Sequence, residues 1–488
     1  MIHLTAEVAM RTDLVLGLDE DDRATAGRLL TEFLDSYERS LSDRPLVPDV
    51  DRAALASLLE NPFPDKGIGV EGLFREINGT IVPNSTAVAH PRFLAYVLGP
   101  PNGIAPHAEA IAAALNQNCN FWQLSPAASV VERAVVTWLS GLFGYGEEAG
   151  GILTGGGSIA TLNALTTALH ARRPDFRRRG LQTSDPQLVV YTSTEAHRCV
   201  DKAAAILGIG LDNVRHIPTD DQYRMRVDAL EEAILADRAA GLEPFCVVAT
   251  PGTVTTGSID PIDPIADVCT RYGLWLHLDG AYGALFVLSD RVRDAFESAA
   301  RADSIALDPH KLLFAPLEAG CLLVRDRADL TRAYAFHSSY LTVEEDDLMV
   351  DYMDHGPQLS RSFRAFKVWS ALRAFGVDAF RSAIDHTLDL ARHLADRVAA
   401  EPDLELLAPT PLTAVCFRIR NATEADHGAA LATLVAEGTA LLGPARVGGR
   451  HGIRACVTNY RTTRADIDLV VDRLAAIAGD FRLRSTVD

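Results

Sequence analysis

A lysine beside apolar residues could supply this protein with a nucleophilic amine. Lys311 ends the segment Asp308-Pro-His-Lys, and the three residues after it are Leu, Leu and Phe. Partial burial favours the neutral amine, which can attack a carbonyl group and form a Schiff base. A surface lysine that lays its alkyl chain along apolar neighbours has the same local sequence, so this segment alone leaves both interpretations open.

The segment Gly151-Ile-Leu-Thr-Gly-Gly-Gly-Ser158 could hold a phosphate group. Its pattern predicts a short strand, a turn of three glycines and the start of a helix. Glycines let backbone amides approach an anion closely, and a helix N-terminus adds free N–H donors and partial positive charge. Glycine-rich turns between a strand and a helix also occur without a ligand, so a phosphate site here depends on other residues.

Asp279 and His197 could contact the flat ring of a ligand. Asp279 lies at the carboxyl end of a predicted buried strand and is followed by Gly-Ala, although capping of a helix is an alternative role for it. His197 follows another predicted strand, where a lone histidine is more often structural. Together with Lys311 and the glycines, these residues match the needs of pyridoxal 5′-phosphate (PLP): a phosphate site, a ring partner, a carboxylate for the ring nitrogen and an amine.

Alternating strands and helices must position these residues. Between residues 86 and 380, continuous apolar runs alternate with helical patterns, which predicts a mostly parallel α/β sheet covered on both faces. Ligands bind such sheets at the carboxyl ends of the strands, where the polar and glycine-rich segments lie. The predicted strands are 151–154, 188–192, 245–250, 274–278, 304–307 and 321–324.

Two further regions flank this large domain of residues 86–380. Residues 1–85 show helical periodicity interrupted by prolines and no strand pattern, so we expect them to pack on the main domain or on a second subunit. Residues 381–488 contain a long amphipathic helix, two strand-like runs at 414–419 and 452–457, and a last helix at 464–478. This order predicts a small α+β domain.

The composition argues against several classes of function. Acidic residues outnumber basic ones 65 to 46, and the net charge of −19 disfavours nucleic acid or an anionic membrane as the partner. No apolar run approaches the ~20 residues of a membrane span, and the acidic N-terminal segment lacks a signal-peptide pattern. Seven scattered cysteines without metal-binding spacing predict reduced thiols in a cytoplasmic protein, with no metal.

From about His90 to Thr463 the sequence resembles the group II PLP-dependent amino-acid decarboxylases, the family of aromatic amino-acid and glutamate decarboxylases. The shared order is the glycine segment, a histidine, a threonine-rich turn at 252–260, His-x-Asp-x-Ala and His-Lys, with a spacing of 32 residues from Asp279 to Lys311. The resemblance implies PLP-dependent transferase fold type I with a mostly parallel seven-stranded sheet. It also implies a homodimer with active sites at the interface, in which residues 1–85 wrap around the partner.

The resemblance further implies a role for each matching residue. Lys311 would carry the cofactor as a Schiff base, Asp279 would pair with the ring nitrogen, and His197 and Ala281 would cover the two faces of the ring. Tyr340 would protonate Cα after carbon dioxide leaves, from the neighbouring subunit. The other implied cofactor contacts are Gly156, Gly157, Ser158, Thr253 and His310. Cys199 and Val254 are departures, since relatives often have serine and threonine there.

The substrate class stays open at this stage. By the resemblance, Tyr96 matches an aromatic pocket position of the aromatic amino-acid decarboxylases and apolar Val97 lies beside it, which favours decarboxylation of an aromatic L-amino acid to its amine. Asn120 is a candidate substrate contact, or it could satisfy buried backbone groups. Arg361 could bind a carboxylate, either of this substrate or of an acidic amino acid such as glutamate or aspartate, or it could stabilise the structure.

Two alternatives to amine formation follow from the same residues. Relatives that form aldehydes by oxidative deamination often carry phenylalanine at the position of Tyr340, so Tyr340 and His197 favour simple decarboxylation. A catalytically inactive scaffold is the alternative outside enzymes, and the presence of Lys311 argues against it.

Overall fold

A computed structural model describes residues 16–60, 63–336 and 348–485 of the chain. The chain divides into two compact units, Met1–His90 and Pro91–Asp488. The boundaries predicted at residues 85 and 380 stay predictions. No helix in the described ranges is both long enough and apolar enough to cross a membrane.

The first unit is helical, as the sequence predicts. Helix α1 begins after Asp19, whose side chain accepts a hydrogen bond from the backbone N–H of Asp22 at 2.8 Å. None of the residues in the three helices is buried, so their apolar side chains gain little from packing within this unit. The helices are α1 (Glu20–Ser40), α2 (Arg52–Glu60) and α3 (Gly69–Glu76).

The second unit is built on a sheet that has seven strands within the described ranges, in the order β1-β7-β6-β5-β4-β2-β3. Strands β2 to β6 pair in parallel, whereas β7 lies between β1 and β6 and is antiparallel to both. This confirms the mostly parallel α/β sheet. The strands are β1 (Gly150–Thr154), β2 (Leu188–Ser193), β3 (Val214–Ile217), β4 (Glu243–Ala249), β5 (Trp275–Asp279), β6 (Ser304–Leu307) and β7 (Gly320–Val324).

Continuous burial explains why most of these strands form. Every residue of β1, β2, β6 and β7 is buried, as expected where helices cover both faces of a sheet. The covering and connecting helices are α4 (Ala105–Leu115), α5 (Pro126–Leu142), α6 (Gly157–Arg172), α7 (Phe176–Arg179), α8 (Cys199–Ile206), α9 (Val227–Ala239), α10 (Ile262–Tyr272), α11 (Pro309–Leu312), α12 (Arg327–Tyr334), α13 (Arg364–Phe375) and α14 (Val377–Ala400).

A small antiparallel sheet follows, in the order β10-β11-β9-β8. Residues next to its strands contact the large sheet domain. The hydroxyl of Thr413 lies 2.7 Å from that of Tyr282, and Thr458 donates a hydrogen bond to the carbonyl of Leu98 at 2.9 Å. These elements confirm the C-terminal α+β architecture. They are β8 (Leu404–Leu406), β9 (Ala414–Ile419), α15 (Glu424–Ala436), β10 (Gly443–Val447), β11 (Arg450–Cys456) and α16 (Arg464–Ser485).

Candidate active site

The glycine turn between β1 and α6 forms a concave backbone surface that excludes side chains. A Cβ atom on Gly157 would lie 2.5 Å from Cβ of Ala281 and 3.1 Å from a carboxylate oxygen of Asp308. Gly156 has φ +124°, a conformation that favours glycine. The first N–H groups of α6 have no partner within the helix, so this turn can bind an anion such as phosphate.

Lys311 lies on the short helix α11, directly after β6. Its Nζ atom is 2.9 Å from Oδ2 of Asp308, and Nε2 of His310 is 3.5 Å from the same oxygen. The second Asp308 oxygen, Oδ1, is buried and has no hydrogen-bond partner within the described ranges. Burial lowers the pKa of His310, against the opposing effect of the Asp308 charge. The amine is therefore held beside a carboxylate at the edge of the glycine turn.

Asp279 ends β5 and presents its carboxylate to the same space. Its side chain is 4% exposed, Oδ2 lies 3.2 Å from Sγ of Cys199, and Oδ1 accepts from the backbone N–H of Ala281 at 3.4 Å. Burial lowers the pKa of the neighbouring His277 to about 4, although the Asp279 charge opposes this shift. A neutral His277 does not pair with Asp279, so the carboxylate keeps its capacity to bind a cationic ligand group.

His197 lies in the turn that begins α8. Its Nδ1 accepts from the backbone N–H of Cys199 at 3.2 Å, and the residue is exposed at the cavity. This hydrogen bond fixes one edge of the imidazole, and the ring stays free to cover a flat ligand.

One cavity of about 460 Å³ brings together most of the predicted residues. Its size, its side-chain-free anion site, its buried carboxylate and its lysine fit PLP. The predicted residues that line it are Tyr96, Val97, Gly156, Gly157, Ser158, His197, Asp279, Ala281, His310 and Lys311.

Thr253 and Asn120 lie elsewhere. The hydroxyl of Thr253 is 2.9 Å from that of Thr256 inside the threonine-rich turn, while Gly252 and Val254 line the cavity. Oδ1 of Asn120 accepts from the next backbone N–H at 2.9 Å. The Thr253 hydroxyl also accepts from the backbone N–H of Ser258 at 3.1 Å, so both side chains bind local backbone, and neither is among the described residues that line the cavity.

The predicted contact of Arg361 with substrate does not fit its position. The guanidinium donates to Glu132 and to the carbonyls of Cys119 and Leu153, and both charged side chains are 1% exposed. Glu132 also accepts from the backbone N–H of Leu153 at 2.8 Å. Arg361 thus fixes the strand that leads into the glycine turn, which is the structural alternative that the sequence left open.

Two charged lining residues escaped the sequence analysis. Asp308 precedes the Pro-His-Lys segment, but its contact with Lys311 depends on the turn of α11. Arg454 lies on β11, and its Nε and Nη2 atoms are buried without a hydrogen-bond partner in the described part of the chain. Arg454 could have been found in the sequence, because it is a single charged residue within the apolar run Gly-Ile-Arg-Ala-Cys-Val. Tyr340 lies outside the described residues.

Comparison with known proteins is consistent with this site. The aromatic-L-amino-acid decarboxylase of Bacillus atrophaeus is 32% identical to this chain. The matched region spans 96% of this chain and 98% of that protein. The cysteine sulfinic acid decarboxylase of Mus musculus is 33% identical and covers 88% of this chain, 90% of its own length. A crystal structure of Oryza sativa TDC with PLP and tryptamine is 28% identical, with TM-score 0.89, and covers 96% of this chain and all of that one (100%).

The family model described as "Pyridoxal-dependent decarboxylase conserved domain" matches residues 53–420. The cofactor is therefore PLP, and the reaction class is decarboxylation of an amino acid, so the resemblance found in the sequence is confirmed. The chain belongs to the pyridoxal-dependent decarboxylase family.

Proposed function

We propose that the enzyme decarboxylates an aromatic L-amino acid to the corresponding amine and carbon dioxide. The observation that carries this proposal is the number of arginine side chains in the cavity that could bind a substrate carboxylate. Among the described lining residues, Arg454 is the one arginine, and two of its nitrogens are buried without a partner. One guanidinium can bind the α-carboxylate, whereas a second carboxylate on the substrate side chain would need another buried cation.

The opposite wall supports a neutral, flat side chain. Tyr96 has φ +61° and is 66% exposed, and it is followed by Val97 and Leu98 along the cavity. A tyrosine in the left-handed region is strained, and such strain is found preferentially at functional sites. We infer that the Tyr96 ring contacts the aromatic ring of the substrate.

Each remaining residue has a defined task in this proposal. When bound, PLP supplies the electron sink for cleavage of the Cα–carboxylate bond. Asp279 holds a proton on the ring nitrogen, His197 and Ala281 fix the plane of the ring, and the glycine turn binds the phosphate. Lys311 would supply the amine that holds the cofactor covalently. Arg454 orients the carboxylate, so that the bond to be broken is presented consistently.

Tyr340 is proposed as the proton donor to Cα, supplied by the second subunit of a homodimer. The helices of the first unit support dimerisation, because they bury none of their own residues. Mixing Lys311→Ala with Tyr340→Phe tests both points. Each variant alone should form no amine, and the mixture should regain about a quarter of the parent activity through one intact site in each heterodimer. A mixture as inactive as its parts, with exchange of subunits verified, contradicts the shared site.

Decarboxylation of an acidic amino acid is the second candidate. It is favoured by the similarity to cysteine sulfinic acid decarboxylase, and Arg454 could bind the side-chain acid of such a substrate. In that case Arg454→Met would abolish the preference for acidic substrates. If Arg454 binds the α-carboxylate, the same change raises KM for every substrate.

The deciding experiment measures carbon dioxide release and amine identity for all proteinogenic L-amino acids and for cysteine sulfinate. We expect aromatic substrates to have the highest kcat/KM, and Arg454→Met to lower it by roughly ten- to a hundredfold, since hydrogen bonds to charged groups contribute ~1.5–3 kcal/mol. Turnover of acidic substrates alone would contradict the proposal. Aldehyde with peroxide and ammonia in place of amine would show oxidative deamination.

We propose a cytoplasmic location, on the evidence of the thiols. All seven cysteines are buried free thiols, as the sequence predicted, and unpaired cysteines are typical of reducing compartments. Fractionation of the native cells with an antibody to the chain tests this, and recovery outside the cytoplasmic fraction would overturn it.

A further inference from the structure

The carboxylate of Asp279 is held by a thiol. Sγ of Cys199 lies 3.2 Å from Oδ2, while Oδ1 accepts from the backbone N–H of Ala281. Cys199 is 3% exposed and Asp279 is 4% exposed, so water does not replace either contact. Within the described ranges each oxygen therefore has one protein donor, and both residues line the cavity.

The direction of this hydrogen bond follows from the surroundings of the sulfur. Burial, and then the Asp279 charge, raise the pKa of the Cys199 thiol well above its ordinary value. The sulfur therefore keeps its proton and donates it to the carboxylate. The hydroxyl of Thr161 on α6 lies 3.8 Å from the sulfur, farther than Oδ2, so the single S–H proton points to Asp279.

We propose that Cys199 is a positioning residue that sets the orientation and the negative charge of the Asp279 carboxylate toward the cofactor ring nitrogen. This inference rests on the proposed role of Asp279. A thiol is a weak donor, so it restrains the carboxylate while leaving most of its charge available to a protonated ring nitrogen. A hydroxyl at the same place would restrain it equally and withdraw more charge.

Other charged or titratable groups near Asp279 come from three elements. His197 precedes α8, His277 lies on β5, and Lys311 lies on α11. His197 is exposed, and a buried His277 is neutral at physiological pH. None of these groups substitutes for the thiol, because among the described residues the side chain that donates to Asp279 is that of Cys199.

The test compares Cys199→Ala and Cys199→Ser with the parent enzyme. The readouts are the dissociation constant for PLP and the midpoint of the pH titration of the bound cofactor's absorption band, both measured without amino acid. Loss of the donor should raise the dissociation constant about tenfold in Cys199→Ala and move the midpoint, since a hydrogen bond to a charged group is lost. Cys199→Ser should restore the dissociation constant to within about threefold and displace the midpoint in the direction of weaker ring protonation.

Cys269→Ala is the matched control, because Cys269 is a buried thiol on α10 that does not line the cavity. It should leave both readouts unchanged. A folded Cys199→Ala variant with the parent's dissociation constant and midpoint would overturn the proposal. Because neither readout requires a substrate, this failure is distinguishable from an error in the proposed reaction.

Discussion

Nζ of Lys311 lies 2.9 Å from Oδ2 of Asp308, within one turn of a short helix. The Asp308 side chain is 4% exposed and that of Lys311 is 18% exposed, so this ion pair is largely shielded from water. The carboxylate therefore holds Nζ of Lys311 in place at the edge of the glycine turn.

Asp308→Asn should slow the attachment of PLP to the apoenzyme by roughly tenfold, because a hydrogen bond between charged groups contributes ~1.5–3 kcal/mol and its loss leaves Nζ of Lys311 less firmly placed. The amide keeps the shape of the side chain but removes the negative charge. Stopped-flow absorbance of cofactor attachment to the apoenzyme measures this rate. Asp290→Asn removes the same charge from an exposed pair with Arg293 and should leave the rate unchanged. An unaltered rate for Asp308→Asn would show that the pair does not position the amine.

Gly157→Ala should weaken PLP binding by roughly five- to a hundredfold, because over-packing costs ~1–3 kcal/mol. The added Cβ would meet Cβ of Ala281 at 2.5 Å and displace the backbone of the anion site. Equilibrium dialysis of PLP against the apoenzyme gives the dissociation constant. Gly141→Ala is the control, since a Cβ there has nothing within 4 Å, and it should leave PLP binding unchanged. Parent-like affinity in Gly157→Ala would mean that the phosphate lies elsewhere.

Glu132→Gln should lower the free energy of unfolding by about 3 kcal/mol, because it leaves the buried Arg361 without its counter-ion. Both side chains are 1% exposed. Urea unfolding of the apoenzyme measures the loss. Glu32→Gln breaks a pair with Arg28 whose side chains are more than half exposed, and its effect should stay below about 0.5 kcal/mol.

Arg361→Lys separates the structural role of Arg361 from a role in binding substrate. If Arg361 is structural, this variant loses stability and its folded fraction keeps the parent KM. A raised KM at undiminished stability would instead place Arg361 at the substrate. The partner Glu132 is 229 residues away in the sequence, which is why the motif Ser-Arg-Ser-Phe-Arg could not decide between the two roles.

The sequence predicted most of the sheet because buried parallel strands are continuous apolar runs. It missed β3, whose Val-Arg-His-Ile pattern carries two polar residues because this strand lies at the edge of the sheet and is only partly buried. The motif residues around Lys311 and Asp279 were found from their types and spacing. Arg454 and the thiol of Cys199 required the folded chain, since their roles depend on what lies opposite them.

The stability of the enzyme should fall on acidification partly through His277. Burial lowers the pKa of His277 from 6.5 to about 4. Between these values the unfolded chain binds a proton at this residue and the folded chain does not. The free energy of unfolding therefore decreases as the pH falls from 6.5 toward 4, by about 3 kcal/mol from this residue alone.

His277→Asn isolates this contribution from other buried groups, such as Asp260, whose pKa burial raises to about 6 and whose effect on stability has the opposite sign. Urea unfolding of parent and variant between about pH 7.5 and pH 4.5 gives the difference, because this range covers most of the window from 6.5 to about 4. The variant lacks the titrating ring, so its disadvantage at pH 7.5 should shrink as the pH falls. A constant difference across this range would mean that His277 is not held neutral in the folded enzyme.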